Sequence, residues 1–410
     1  MAVPKTNRQA WVVVVLLAIF MLINTADRAA LGLAGPKIME ELHLTKTQFG
    51  FVGSSFFFLY SLSAIVTGFL SNRIPVRWTL LTLVGIWSIA QFPLAWPVGL
   101  ETLVASRILL GAGEGPGYPV ATHAAYKWFP DKARAVPTAI IAQGATLGVV
   151  LLIPVLTAII HWWSWHAAFG MLGLLGLLWG VAWWQLGGEG PIDDASAASA
   201  PVSRVPYRQL ILNRTTLGAW LIGFGSFWGY SLMITWFPTY LSDGLKVQGP
   251  MLGMLSAFPW LVSMVVVIGV GALSQALMAR GVSSLVARGG LGVGCVLSGG
   301  SMLVAATLLQ DGGIKLALLA AGISLPTVIL ALIPPIVSEY VPASQRSALL
   351  GIGQAVITFA GVMAPAVMGL VIDQAPEGHG YERIFLLCGV VTIVSGVAGS
   401  ALMRTPAPAP

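Results

Sequence analysis

Four charged side chains lie inside long apolar stretches of the sequence, where charge is costly. Asp27 and Arg28 are consecutive in one stretch, and Arg107 and Glu114 share another. Ionisable groups at membrane depth face a bundle interior or a wet cavity and mark the paths of ions and substrates. An arginine presents a planar fork of donors that matches a carboxylate. The four residues therefore indicate a site that binds an organic anion.

The two acids are candidate proton-binding sites. Apolar surroundings disfavour an ionised carboxyl group, whereas a neighbouring arginine favours it. Arg107 and Glu114 are seven positions apart, roughly 10 Å along a helix, so they line one wall but reach each other poorly. We predict that protonation of Glu114, together with Asp27, frees an arginine for an incoming anion. A static set of buried salt bridges between the first and fourth helices is the structural alternative.

The elements that must hold these residues are transmembrane helices. Hydrophobic residues make up 57% of the chain and charged residues only 9%, with a mean hydropathy of +0.86, too few charges to cover a soluble core. Apolar runs of about 20 residues, enough to cross a bilayer, predict an all-α membrane protein with twelve spans. The predicted spans are 11–33, 49–70, 78–98, 102–125, 137–160, 166–186, 214–240, 250–279, 284–309, 315–338, 347–372 and 384–403.

One long polar stretch divides the predicted spans six and six. It covers 187–213 and is rich in Gly, Pro, Ala, Ser and charged residues, as is typical of a linker. We therefore predict an N-terminal six-helix bundle at 1–186, a cytoplasmic linker at 187–213 and a C-terminal six-helix bundle at 214–410.

The two predicted halves share spaced residues. Gln143 lies eleven positions before Pro154, and Gln354 lies eleven before Pro365, at an offset of 211 residues. Such an echo is typical of transporters built from repeated helical units, with the substrate site between the repeats. The sequence therefore favours a repeated six-helix unit.

Positive charge predicts the orientation. With both termini in the cytoplasm, fourteen Lys and Arg fall on the cytoplasmic side and five on the other, as the positive-inside rule requires. The cytoplasmic set is Lys5, Arg8, Arg73, Arg77, Lys127, Lys132, Arg134, Arg204, Arg208, Arg214, Arg280, Arg288, Arg346 and Arg404. The net charge of +6 is thus topological and does not indicate nucleic-acid binding. We expect a multi-pass protein of a bacterial inner membrane.

Several other classes of function lack their signatures. The only cysteines, Cys295 and Cys388, lie inside apolar runs, which excludes a disulfide framework and a cysteine-rich metal site. The sequence contains no phosphate-binding Gly-Lys-Ser or Gly-Lys-Thr, and no nucleophile with its base is visible in the helices. We predict a monomeric transporter, not an enzyme, without metal or cofactor.

Four motifs carry a resemblance to a known family. They are Asn-Thr-Ala-Asp-Arg at 24–28, Arg-Ile-Leu-Leu-Gly through Glu-Gly-Pro at 107–116, Trp-Phe-Pro at 128–130 and Trp-Phe-Pro-Thr-Tyr at 236–240. With these motifs the chain resembles the major facilitator superfamily and, within it, the anion:cation symporters that carry sugar acids and other organic anions. The resemblance implies two six-helix halves and alternating access.

The resemblance also implies roles for single residues. Arg28 is expected to clamp the substrate carboxylate, and Arg107 to hold an acid or a second substrate group. Tyr60 aligns with a cavity tyrosine of the family, and Gln354 and Thr358 align with two asparagines. Fewer amide donors suggest a substrate less hydroxylated than a sugar acid, for instance an aromatic or short aliphatic acid.

Each of the weaker candidates has a structural alternative. Tyr60 could contact the substrate or simply pack, and Gln143 could bind substrate or make an interhelical hydrogen bond. Gln354 and Thr358 share one helix face, from which they could bind the distal end of the substrate or pack between helices. Trp228 could wall the pocket or belong to the core.

The function predicted from the sequence is proton-coupled symport of a small organic anion, a carboxylate. The partners are the anion, protons and the lipid bilayer. Facilitated diffusion or exchange of organic anions without net proton coupling is the alternative.

Overall fold

A computed structural model of this protein describes residues 8–70, 74–130, 133–192, 205–376 and 378–404. Lys5, Arg73, Lys132 and Arg204 of the predicted cytoplasmic set lie outside these ranges, as do residues 193–204 of the predicted linker. The described residues form helices and turns, with no strand among them.

The first part of the chain forms long helices that alternate with short connections. They are α1 (Arg8–Glu41), α2 (Lys46–Leu70), α3 (Val76–Gln91), α4 (Leu100–Glu114), α5 (Gly117–Tyr126), α6 (Ala135–Trp162) and α7 (Trp165–Leu186). A short 3₁₀ turn, Phe92–Ala95, follows α3 directly.

The second part of the chain repeats this pattern. Its helices are α8 (Tyr207–Ile211), α9 (Arg214–Ser231), α10 (Phe237–Thr239), α11 (Pro250–Ala279), α12 (Leu291–Ala306), α13 (Gly313–Ser324), α14 (Thr327–Ser338), α15 (Ala343–Asp373) and α16 (Gly380–Leu402). The π-helical turn Leu232–Trp236 joins α9 to α10, and a second one, Tyr240–Gly244, extends the same span beyond α10. A third π-helical turn, Leu285–Gly290, leads into α12.

Eleven helical segments within the described residues are long and apolar enough to cross a membrane. The predicted span at 102–125 is the exception, because it is divided into the shorter helices α4 and α5 around Gly115 and Pro116. Proline lacks a backbone N–H and crowds the preceding turn, which accounts for the interruption. The prediction of an all-α membrane protein is confirmed, and twelve spans are consistent with it.

The tenth predicted span is interrupted in the same manner. α13 ends at Ser324 and α14 begins at Thr327, with Leu325 and Pro326 between them. Pro116 and Pro326 are 210 positions apart, close to the offset that the glutamine and proline echo predicts. The interruption therefore recurs at matching places of the predicted repeat.

The chain groups into two compact units. Unit 1 comprises Met1–Ile38 and Ser55–Pro201, and unit 2 comprises Met39–Ser54 and Val202–Pro410. The division into bundles at 1–186 and 214–410 is drawn along the sequence and stays a prediction.

Small residues bring the helices of unit 1 into close contact. A side chain at Gly111 of α4 would overlap the backbone carbonyl of Phe56 in α2, and one at Gly115 would overlap that of Tyr60. Close backbone approach at small residues is a usual device of helix packing in membranes. It places Phe56 and Tyr60 directly beside the end of α4.

A lysine cluster ties together three spans of unit 2. Lys315 is 3% exposed and pairs with Asp311, at 2.9 Å, and with Glu382. The Tyr240 hydroxyl donates to the same Asp311 carboxylate at 3.0 Å. The Lys315 ammonium group, although buried, thus has two acidic partners.

Candidate functional site

Charged residues predicted from the sequence meet in unit 1. Arg28 of α1 donates from Nε to Glu114 Oε2 of α4 at 2.8 Å, and from Nη2 to Asn24 Oδ1 at 2.6 Å. The Glu114 side chain is 0% exposed, whereas that of Arg28 is 14% exposed. Within the ion pair, the acid is therefore buried completely and the arginine remains partly exposed.

Local structure explains why these groups meet. Asn24 and Arg28 are four residues apart in α1 and therefore share one face of the helix. Glu114 is the last residue of α4, and the following Gly115 lets α2 approach closely. The end of the broken helix thus presents a carboxylate to the arginine of α1.

Aromatic rings support both arginines. Arg28 Cζ lies 4.9 Å from the ring centroid of Tyr60 and 5.9 Å from that of Phe56, and Arg107 Cζ lies 5.3 Å from Phe56. A ring face attracts a guanidinium group while its N–H donors remain directed outward in the plane. Phe56 thereby lies against both cations.

Asp27 and Arg107 complete what we call the charge cluster, which is Asp27, Arg28, Arg107 and Glu114. Asp27 is 0% exposed and Arg107 is 2% exposed. All four groups interact electrostatically. The cluster therefore combines two acids and two arginines, of which Arg28 alone is partly exposed.

Much of the hydrogen-bonding capacity of the charge cluster is unused. Both carboxylate oxygens of Asp27, Nε and Nη1 of Arg107 and Oε1 of Glu114 are buried without a hydrogen-bond partner among the described residues. Buried polar groups are nearly always hydrogen-bonded, and exceptions concentrate where function requires them. The cluster thus resembles a site that exchanges partners more than a saturated structural salt bridge.

Sequence reasoning missed three residues that adjoin the charge cluster. Asn24 holds Arg28, Phe56 lies between the two guanidinium groups, and Gln91 of α3 faces Asp27. The spacing of Asn24 and Arg28, and a glutamine at the end of an apolar helix, were visible signals. The role of Phe56 had no signal, because it is one of three consecutive phenylalanines.

The remaining predicted residues divide between the units. Tyr60 lies against Arg28 in unit 1, and Gln143 is exposed on α6. In unit 2, Gln354 is exposed on α15, while the Thr358 hydroxyl donates to the Gln354 backbone carbonyl at 2.8 Å. The Trp228 side chain is 6% exposed, and its Nε1 has no partner among the described residues. Their contacts with a substrate stay predictions.

Comparison with known proteins adds evidence on the family. Residues 17–328 match the family model described as the Major Facilitator Superfamily. The hexuronate transporter of Bacillus subtilis (strain 168) is 27% identical over 402 residues, which cover 95% of this chain and 94% of that protein. The D-galactonate transporter of Escherichia coli O6:H1 is 25% identical, with 96% and 95% covered. The probable sulfoacetate transporter SauU of Cupriavidus necator is 28% identical, with 91% and 89% covered.

Solved structures share the fold. A bacterial homologue of the human lysosomal transporter Spinster, in an inward-facing and occupied conformation, superposes with a TM-score of 0.78 at 17% identity and with 97% of both chains covered. At this identity the similarity concerns the fold alone. It agrees with the helical architecture described above.

Proposed function

This chain belongs to the major facilitator superfamily, and from that premise we propose that it moves a small organic anion, a carboxylate, across the membrane together with protons. It is a transporter and not an enzyme. The proposal adds symport, proton coupling and alternating access to that statement.

The observation that carries the proposal is the ion pair between Arg28 and Glu114. The carboxylate of Glu114 occupies the guanidinium group that a substrate carboxylate would need. Protonation removes the charge from Glu114 and weakens this hold, because a bond between two charged groups is the stronger one. An incoming anion then takes the same donors, which the exposed side of Arg28 leaves accessible.

Charge balance couples the proton to the anion. With Asp27 and Glu114 ionised, the two acids and two arginines of the charge cluster sum to zero. When the cluster binds one proton, its net charge becomes +1, which attracts a monoanion. The bound monoanion returns the net charge to zero. Leaving one partner of a buried pair uncompensated costs about 3 to 5 kcal/mol. States that hold the proton without the anion, or the anion without the proton, are therefore disfavoured.

A second candidate function follows from Arg107. This cation is fully buried and interacts with Glu114 as well as with Asp27. It can balance an ionised Glu114 while Arg28 binds substrate, and the anion would then cross without a proton. That arrangement supports a proton-independent facilitator or exchanger of organic anions.

The substrate class follows from the chemistry of the arginines and from the relatives. Relatives are named for hexuronate, D-galactonate and sulfoacetate, all of which are small anions. In this chain Gln354 and Thr358 occupy positions where the resembling family has two asparagines. We therefore place short aliphatic and aromatic acids beside sugar acids as substrates to be compared.

The proposed setting is a bacterial inner membrane with both termini in the cytoplasm. The excess of fourteen Lys and Arg over five supports this orientation. We further propose that the monomer is the transporting unit, because the charge cluster is built entirely from unit 1 of one chain.

Uptake by proteoliposomes tests the proposal. Vesicles that contain the purified protein are given an inward proton gradient and a panel of labelled hexuronate, sulfoacetate, short aliphatic and aromatic carboxylates. We expect accumulation of at least one anion above its external concentration, and loss of that accumulation when an ionophore dissipates the gradient.

A pair of arginine variants provides the control. Arg28→Ala should abolish accumulation, whereas Arg280→Ala, which removes an exposed arginine at the end of α11, should retain it. Saturable uptake that ignores the gradient would favour the facilitator. Transport that survives without Arg28 would contradict both candidate functions.

A further inference from the structure

Gln91 occupies a fixed place next to the charge cluster. It is the last residue of α3 and is 0% exposed. The Ser106 hydroxyl donates to the Ala90 backbone carbonyl at 2.6 Å, which joins α3 to α4 one residue before both Gln91 and Arg107. Gly173 of α7 packs against the Cβ atom of Gln91. The backbone of α3 beside Gln91 is therefore bonded to α4, and the Gln91 Cβ atom faces α7.

The Gln91 amide and the Asp27 carboxyl group share an unusual condition. The amide faces the carboxyl group, yet Nε2 and Oε1 of Gln91 and both carboxylate oxygens of Asp27 lack a partner in hydrogen-bond geometry among the described residues. A buried amide without hydrogen bonds is costly. Four such atoms at one place indicate groups that bond to each other in other states of the site.

We propose that Gln91 is a positioning residue of the proton site and that it serves Asp27 in both of its protonation states. The inference rests on the proposed function. When Asp27 is ionised, Gln91 Nε2 donates to the carboxylate. When Asp27 has taken a proton from water, its hydroxyl donates to Gln91 Oε1. The contact is direct or passes through one water molecule, and Gln91 keeps its own protons throughout.

An amide suits this task better than the neighbouring charges do. The charged groups that surround Asp27 are Arg28 of its own helix and Arg107 and Glu114 of α4. An arginine offers donors only, and therefore stabilises the carboxylate but not the acid. A neutral amide offers both a donor and an acceptor, so it lets Asp27 bind and release a proton without an uncompensated polar atom in either state.

Gln91→Met tests this role with little change in volume. The donor to the ionised carboxylate is worth more than the acceptor for the acid. The substitution should therefore shift the pH midpoint of proton-driven uptake by about one unit toward alkaline pH. At saturating acidity, the KM for the anion should stay within about twofold, because Arg28 still holds the substrate.

Ser88→Ala is the matched control. Ser88 lies three residues earlier in α3, is 0% exposed, and its Oγ also lacks a hydrogen-bond partner among the described residues. The substitution therefore removes a buried polar atom of the same helix, about one turn before Gln91. It should leave the pH midpoint where the wild type has it.

Infrared difference spectra between acidic and alkaline pH supply a readout independent of transport. The carbonyl stretch of the protonated carboxyl group is assigned to Asp27 by its loss in Asp27→Asn. It should change frequency in Gln91→Met and not in Ser88→Ala. If Gln91→Met does not reach the membrane, Gln91→Asn replaces it, with a smaller shift of the same sign.

The outcomes separate this inference from the proposed function. A shifted midpoint with a shifted carbonyl band in the Gln91 variant alone supports the inference. A wild type that responds to the proton gradient, beside a Gln91 variant with unchanged midpoint and band, overturns the inference and leaves symport standing. Equal effects of the Ser88 and Gln91 variants overturn it as well. A wild type that shows no response to the gradient overturns both.

Discussion

The fourth and tenth predicted spans break at matching prolines, but they carry different chemistry at the break. In unit 1, Glu114 precedes Pro116 by two residues, is 0% exposed, and leaves Oε1 without a hydrogen-bond partner among the described residues. In unit 2, Ser324 precedes Pro326 by two residues and is equally buried. Its hydroxyl oxygen lies 2.6 Å from the carbonyls of both Pro259 and Ala320.

The difference separates architecture from function. Both breaks end one helix and begin another, which is a property of the proline and of the predicted repeat. Only the break in unit 1 presents an ionisable group to an arginine. A satisfied hydroxyl in unit 2 holds helices together, whereas the acid in unit 1 keeps one oxygen unbonded, as the proposed exchange of partners requires.

The buried lysine of unit 2 sharpens the same contrast. Lys315 pairs with Asp311 and Glu382, and Tyr240 donates to the same Asp311 carboxylate. Arg107 is equally buried in unit 1, yet two of its nitrogen atoms have no hydrogen-bond partner among the described residues. We therefore expect charge substitutions in unit 2 to affect stability, and those in unit 1 to affect transport.

The largest effect on uptake should come from replacing Glu114 with serine, the residue that stands at the matching position before Pro326. Glu114→Ser removes the partner of Arg28, at a cost of about 3 to 5 kcal/mol for a buried pair, and should lower proton-driven uptake about 100-fold. Ser324→Ala removes one hydroxyl, worth about 1 kcal/mol, and should retain uptake within about twofold. Initial rates of uptake, measured at matched amounts of folded protein, test this prediction. An equal loss of uptake in both variants would refute the functional difference between the two breaks.

Asp27→Asn should reduce accumulation without removing the anion site. One pH unit corresponds to about 1.4 kcal/mol for each coupled proton, so the loss of one proton lowers the accumulation ratio about tenfold per unit of gradient. Exchange of labelled for unlabelled anion at equal pH should persist, because Arg28 and Glu114 remain. Counterflow measures the exchange, and gradient-driven uptake in the same vesicles measures the accumulation ratio. An unchanged accumulation ratio would show that Asp27 does not carry a coupled proton.

Lys315→Met should lower stability and leave coupling intact. The half-buried Glu382 carboxylate loses a charged partner, which costs about 1 kcal/mol. A thermal melt should report a lower Tm, while the pH midpoint of uptake stays that of the wild type. A moved midpoint would show that the cluster of unit 2 takes part in transport.

The smallest effect concerns the pH dependence of stability at Asp311. The hydrogen bond from Lys315 lowers the pKa of this carboxyl group in the loop before α13. A carboxyl group whose pKa is lowered by folding stabilises the folded state at pH values above its unfolded-state pKa. This contribution disappears as the pH falls through the lowered, folded-state pKa. The Tm gap between wild type and Asp311→Asn should therefore stay constant above about pH 5 and narrow as the pH falls below about 4. A gap that stays constant at every pH would refute the assignment.

The sequence predicted the helical fold and the identity of the charged residues, because both depend on composition within single spans. Hydropathy located the spans, and charge in apolar runs pointed to Asp27, Arg28, Arg107 and Glu114. The break at Pro116 also has a visible cause in the sequence, the proline itself, although hydropathy predicts a single helix over 102–125.

Which side chains of different helices pair with each other could not be predicted from the sequence. The spacing of Arg107 and Glu114 predicts poor reach between them, but it could not name Arg28 as the partner of Glu114. That choice depends on how α2 approaches α4 at Gly111 and Gly115. The places of Phe56 and Gln91 follow from the same packing and therefore had to await three-dimensional structure.

Proton uptake on anion binding tests the central claim most directly. Calorimetric titration of the purified protein with its best substrate at neutral pH, repeated in buffers of different ionisation enthalpy, gives the number of protons bound per anion. We predict net proton uptake by the wild type, and retained binding with fewer protons taken up in Glu114→Gln, since the amide already resembles the protonated acid. Binding without proton uptake in the wild type, or equal uptake in the variant, would contradict the exchange of Glu114 for substrate on Arg28.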